Sequence, residues 1–306
     1  MESIKIFAPA TVANLSCGYD AVGMALEGLG DEMLFTKTSA KGVRISDIHG
    51  ADLPFDADKN VAGVVTNLLL NDAKADFGLD IEIWKNFKPG SGLGSSAASG
   101  SGAAFAVNEL LGSKYSNLEL TKFAMRGEVA ACGSAIADNV AACLYGGFIL
   151  VRSYAPLDIV AIPTPAELVV TIIHPQIEIK TEDARKVVPE SVPIKTAVSQ
   201  WANVGGLISG LYSGNYDLIG HSIQDFVVEP KRKLLIPKFD NVKIAALDAG
   251  ALGAGISGSG PSIFALSKGM TTANQVAEAM DSVYGQTGIA YKIFVSNISK
   301  NGARVV

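Results

Sequence analysis

A strand pattern that leads into a glycine-serine loop constrains this chain more than any other feature. Leu79-Asp80-Ile81-Glu82-Ile83-Trp84 alternates with period two, the pattern of a half-buried strand. After Lys85 to Lys88 comes Pro89-Gly90-Ser91-Gly92-Leu93-Gly94-Ser95-Ser96-Ala97-Ala98, and small residues then continue to about Leu111 in a stretch that reads as a helix. Glycine allows positive φ and close approach of the backbone to a bulky group. A helix N-terminus adds free N–H groups and the positive end of a dipole. Serine hydroxyls add donors, or oxygen ligands for a cation. This is chemistry for a polyphosphate; the alternative is a glycine-rich helix start that serves only tight packing. No Lys-Ser or Lys-Thr follows the glycines, so the loop is not of the Walker type. Ser95 stands at the third glycine position, so it is not the dinucleotide fingerprint either.

The rest of the chain can enclose such a site. With 306 residues, 48% of them hydrophobic and 18% charged, it is large and apolar enough for two folded domains. Pro156, Pro163 and Pro165 suggest a boundary near residue 155, giving units 1–155 and 156–306. Each half reads as α+β. In the first, Ile4–Phe7, Met33–Thr38, Val43–Ile48 and Tyr145–Arg152 read as strands, Asn60–Ala75 as a helix, and Ser116-Asn117-Leu118-Glu119 as a capping box that opens another. In the second, strands are expected at Leu168–Ile173, Ser262–Leu266 and Lys292–Val295. Helices are expected at about 181–187, 194–213, 215–226 and 272–283. Trp84 and Trp201 read as core. A net charge of −5 gives no bulk attraction for nucleic acid or anionic membrane. Cys17, Cys132 and Cys143 lack metal-ligand spacing and fit a reduced, cytoplasmic setting.

A second glycine stretch, Gly253-Ala254-Gly255-Ile256-Ser257-Gly258, matches GxGxxG literally, but Ser259-Gly260-Pro261 and a strand follow it. A dinucleotide fingerprint must open a helix. A loop that closes over phosphates, or lets two elements pack closely, fits better.

These motifs carry a resemblance. The loop at 89–98 is similar to the PxxxGLGSSAA motif of the galactokinase, homoserine kinase, mevalonate kinase and phosphomevalonate kinase (GHMP) superfamily. Two further motifs of that superfamily resemble Ala10-Thr11-Val12-Ala13-Asn14-Leu15-Ser16-Cys17-Gly18-Tyr19-Asp20 and Gly255 to Ser262, in the same order. Within it, the homoserine kinase family is the nearest match. Ala13-Asn14-Leu15 with Gly18-Tyr19-Asp20 resembles ANLGPGFD, and Ala137-Asp138-Asn139-Val140-Ala141 resembles ADNVA. Thr181 to Arg185 and Glu229-Pro230-Lys231-Arg232 resemble its two arginine-bearing motifs. Two departures stand out: Ser16-Cys17 replaces Gly-Pro, and Ile136 stands where many members have His.

The resemblance implies a ribosomal S5-like N-terminal domain, a ferredoxin-like C-terminal domain, and ATP and L-homoserine meeting between them in a step of threonine biosynthesis. Residues 89–96 (Pro89, Gly90, Ser91, Gly92, Leu93, Gly94, Ser95, Ser96) would hold the phosphates, with Asn60 near the adenine. Glu128 and the Ser96 hydroxyl, or Ser95 in its place, would hold Mg²⁺. A zwitterionic substrate needs an acid and an arginine fork. Asp20, helped by Asn14, would take the ammonium, Arg185 and Arg232 the carboxylate, and Asn139 the reacting hydroxyl. If 137–140 is helical, Asp138 and Asn139 point about 100° apart, so only one should face the substrate. Asn139 cannot act as a general base. With no His at 136, the reaction is expected to proceed without a protein base. The rival readings are another GHMP kinase, of mevalonate or shikimate type, and an inactive binding protein on the same fold. A homodimer is left open.

Overall fold

The computed structural model describes residues 2–133 and 135–306, with the side chains of 130–132 outside the description. The chain starts with β1 (Ser3–Ala13), the long β2 (Val22–Thr38) and β3 (Val43–His49). Next come α1 (Val61–Ala73), β4 (Gly78–Trp84), α2 (Ser95–Leu110), α3 (Asn117–Cys132), α4 (Asp138–Tyr145), β5 (Phe148–Tyr154) and β6 (Leu157–Ile162). These strands form a sheet in the order β1-β2-β4-β3, with β5 paired to β2 and β6 to β5. The inward residues of β4 are Leu79, Ile81 and Ile83, as period two requires, and they meet Met33 and Phe35 of β2 in one core. Over residues 95–104 helix α2 carries only Ser, Ala and Gly. Its alanines and glycines let it lie against β1, where a Cβ on Gly102 would come within 2.3 Å of Met33 and 2.9 Å of Ala8.

The second half contains β7 (Leu168–Pro175), α5 (Thr181–Lys186), α6 (Ile194–Ser213), α7 (Tyr216–Ser222), α8 (Glu229–Arg232), α9 (Phe239–Asp248), β8 (Gly253–Ile256), β9 (Ile263–Lys268), α10 (Met270–Tyr284) and β10 (Tyr291–Asn297). Its four strands are antiparallel in the order β10-β7-β9-β8. A βαββαβ chain path with this strand order is ferredoxin-like. The short β11 (Arg304–Val305) then returns to pair with β1.

Two expectations need adjustment. Residue 155 lies in the turn of the β5–β6 hairpin, so the first sheet continues to Ile162 and regains chain at β11. Trp201 is 57% exposed on α6, not in the core, and Trp84 is half-buried with the His49 ring stacked on it. Among the described residues, no helix is long and apolar enough to cross a membrane.

Candidate active site

Three loops, far apart in sequence, are bonded to one another at the mouth of a cleft of about 1070 Å³. The loop after β4 delivers α2 through Gly94, at φ 69. A Cβ at Gly94 would lie 2.1 Å from Thr11 Oγ1, and one at Gly92 2.5 Å from the Ser257 carbonyl, so both positions require glycine. Ser257 Oγ donates to the Gly92 carbonyl at 2.7 Å, and Gly258 N–H to the Ala13 carbonyl at 3.2 Å. The glycine stretch at 253–258 is thus strand β8 and its turn, closed onto the other two loops. Among the described residues, no side chain caps α2 and no acid stands in its first turn, so the N-terminal N–H groups of α2, at residues that line the cleft, are unclaimed by side chains.

The first loop is strained. Asn14, Leu15 and Ser16 all have left-handed backbones, at φ 70, 42 and 62. Leu15 and Ser16 each lose roughly 1–2 kcal/mol in this region, which Asn adopts more readily. Ser16 occupies the place of the Gly in ANLGPGFD, and its φ explains why glycine suits that position. Asn14 offsets part of the cost: its amide donates to the Gly258 carbonyl at 2.9 Å and accepts Asp20 N–H at 3.0 Å. It therefore holds Asp20 in place.

Of the residues singled out in the sequence, all but Leu93 line this cleft. Leu93 is fully buried, and its carbonyl accepts Thr11 N–H at 3.0 Å, so its part is to tie the loop to β1. Asn60 caps α1, accepting Ala62 N–H at 3.0 Å. Arg185 Nη2 reaches both Asp20 oxygens, at 3.1 and 3.2 Å. Arg232 is 3% exposed; its Nε and Nη1 donate to the Ala184 and Gly258 carbonyls, each at 2.9 Å. The Tyr19 ring lies 5.1 Å from the Arg232 guanidinium and 6.0 Å from that of Arg185. Ser96 Oγ donates to Glu128 Oε2 at 3.1 Å, and Glu128 is 7% exposed. A buried carboxylate beside a hydroxyl at the start of α2 is an all-oxygen donor set, which fits Mg²⁺. Among the described residues, Asp47, His49 and Glu82 also come close together, but they lie on β3 and β4 and none of them lines the cleft.

Asp138 departs from expectation. It lines the cleft together with Asn139 instead of pointing away. Asp138 opens α4, and its side chain turns back over the helix start, so that Oδ1 accepts Asn139 N–H at 2.7 Å and the Asn139 side-chain amide at 3.4 Å; the cleft is wide enough for both residues to line it. Asn139 Oδ1 in turn accepts Thr11 Oγ1–H at 2.6 Å. Burial, then the nearby Asp20, pushes the Asp138 carboxyl from 3.8 to about 7. A carboxyl raised in this way gives stability that is complete below 3.8 and lost as pH rises towards 7, because the unfolded chain then binds fewer protons than the native one. Asp138→Asn removes that loss. Its melting temperature relative to wild type is expected to rise from about pH 4.5 towards 7 and to level off above that, as read by circular dichroism; a constant difference would contradict the raised carboxyl.

Sequence reasoning did not single out Thr11, Tyr19, Lys85 or Asp31. Lys88, at the loop entrance, is exposed and does not line the cleft; the buried lysine is Lys85.

The chain matches the family models described as GHMP kinases N terminal domain, over residues 60–147, and GHMP kinases C terminal, over residues 207–286. It is 46% identical over 320 aligned residues to a homoserine kinase of Chlorobium phaeobacteroides, covering 100% of both chains. It is 42% identical to a homoserine kinase of Methanococcus maripaludis, covering 88% of this chain and 89% of the other. The crystal structure of homoserine kinase from Cytophaga hutchinsonii superposes with a TM-score of 0.97 at 51% identity, over 100% of this chain and 98% of that one. Mevalonate kinase of L. major shares the fold, with a TM-score of 0.72 at 19% identity over 96% of each chain.

Proposed function

This chain belongs to the homoserine kinases of the GHMP kinase family, and on that premise we propose that its cleft transfers the γ-phosphate of ATP to the hydroxyl of L-homoserine, giving O-phosphohomoserine. One observation carries this reading: the unclaimed N-terminal donors of α2 share a cleft with an acid and two arginines, the set a zwitterion needs. Asp20 and Arg185 are already paired. Homoserine would exchange that internal pair for two of its own, its ammonium on Asp20 and its carboxylate on Arg185 and Arg232. Asn139, with Oδ1 taken by Thr11, offers an amide N–H to the substrate oxygen. Glu128 and Ser96 would hold Mg²⁺, which when bound supplies positive charge to the phosphate oxygens. A cytoplasmic setting is supported by the free, buried thiols of Cys17 and Cys143, both pushed up to about 12 by burial.

A coupled ADP-release assay over homoserine, mevalonate, shikimate and galactose tests the substrate, with turnover expected on homoserine alone. Nucleotide binding without any turnover would instead support an inactive binding protein.

The proton of the hydroxyl passes to a phosphate oxygen in this scheme, since a loose transition state needs no early deprotonation. The position and raised carboxyl of Asp138 favour a second route, in which it accepts the proton. A folded Asp138→Asn variant at saturating substrates distinguishes them. Retention of about a tenth of kcat or more is expected from the first route. A loss of about a thousandfold, with disappearance of the acidic limb of the pH profile, would make Asp138 the base.

A further inference from the structure

An ion pair is buried beneath the first turn of α2. The side chains of Lys85 and Asp31 are 1% and 0% exposed. Lys85 Nζ donates to Asp31 Oδ2, to the Ser95 carbonyl at 2.9 Å and to Ser99 Oγ at 3.1 Å. These acceptors occupy all three ammonium protons. Asp31 Oδ1 accepts Asn86 N–H at 3.0 Å. Burial pushes the Asp31 carboxyl up, and Lys85 and the N–H groups of Asn86 and Phe87 oppose it.

Such a pair is a poor way to gain stability alone. Desolvation costs several kcal/mol per ion, and apolar residues of similar volume often replace a buried pair without loss. Its placement fits another role. The Ser95 carbonyl belongs to the same peptide unit as Ser96 N–H, one of the first-turn donors of α2 that faces the cleft. A cation on the carbonyl polarises that peptide and strengthens its N–H as a donor. Lys85 stands between Asp31 and Ser95, so the positive end of the pair lies against the helix N-terminus and adds to its dipole.

We propose that Lys85, held by Asp31, is a positioning residue for the nucleotide phosphates, fixing and polarising the Ser95–Ser96 peptide. The proposal rests on the nucleotide reading of the cleft. It is tested with the double variant Asp31→Leu/Lys85→Met, which removes both charges together, and with Asp31→Asn, which keeps the shape. ADP affinity is measured by titration calorimetry without Mg²⁺, and KM separately for ATP and homoserine. The folded double variant is expected to bind ADP about tenfold more weakly and to raise KM for ATP to match, with KM for homoserine moving less than about twofold. Asp31→Asn is expected to weaken ADP by about threefold. ADP affinity equal to wild type in either folded variant overturns the proposal. So does a parallel rise in both KM values, which would mark general loosening. Failure of the wild-type protein to bind ADP would instead remove the nucleotide reading itself.

Discussion

Glu128→Gln is expected to lower kcat for homoserine phosphorylation by about two to three orders of magnitude, the scale of losing one main electrostatic contact to the transition state. Glutamine keeps the volume and can still accept the Ser96 hydroxyl, now 3.1 Å from the carboxylate. What it loses is the negative charge that a hard cation requires of its few protein ligands. Raising Mg²⁺ is therefore expected to recover part of the activity by mass action, and the midpoint of the Mg²⁺ titration should move upward. Homoserine binding measured without nucleotide should stay near wild type, since the substrate's charges are assigned to Asp20, Arg185 and Arg232. Wild-type kcat with a wild-type Mg²⁺ midpoint would reduce Glu128 to an acid on the inner face of α3.

The fold was legible where local pattern and tertiary demand agree. Period two located β4, and the capping box at Ser116 opens α3 as written, with Glu119 reaching back to the Ser116 backbone. It was illegible where tertiary packing overrides propensity. Gly253-Ala254-Gly255-Ile256 has almost no strand character, yet it pairs with β9 as β8. Its glycines are there for closeness: a Cβ at Gly253 would come within 2.5 Å of Ile223, and one at Gly255 within 2.1 Å of Ser16 Oγ. The β5–β6 hairpin was hidden by Pro156, which reads as a boundary and serves as a turn.

The site divides along the same line. The glycine-serine loop and the residues of the three motifs announce their chemistry by type, and they meet in one cleft. Lys85 and Asp31 do not, because a charged residue carries no local mark of burial. A signal was present: Lys85 continues the inward register of Leu79, Ile81 and Ile83, and Asp31 that of Met33 and Phe35. Two opposite charges on the buried faces of two strands point to a pair. Asp138 was misjudged for a different reason: consecutive helical residues point about 100° apart, but the cleft is wide enough to be lined by both, and the Asp138 side chain turns back onto Asn139 N–H.

Arg232→Ala is expected to reduce kcat/KM for homoserine by about one to two orders of magnitude, while KM for ATP changes by less than about threefold. The guanidinium is buried, and two of its nitrogens are fixed by the Ala184 and Gly258 carbonyls. Arg232 therefore reaches the substrate site already oriented, at little entropic cost to binding. Losing its hydrogen bond to a charged carboxylate costs roughly 1.5–3 kcal/mol. Arg185 does not replace it, because Arg185, once released from Asp20, already makes its own contact with the carboxylate in this scheme. The same truncation takes the Arg232 donor from the Ala184 carbonyl, leaves the Gly258 carbonyl to Asn14 alone and removes the packing on Tyr19, so a lower melting temperature is expected as well. Arg232→Lys separates the two effects. It restores the charge but not the planar fork, so it should recover stability more than homoserine use. An amino alcohol lacking the carboxylate should be used equally poorly by wild type and Arg232→Ala, since the lost contact is the one it cannot make. Unchanged kcat/KM for homoserine in a folded Arg232→Ala protein would remove Arg232 from the substrate site and leave it as a brace between α5 and the Gly258 turn.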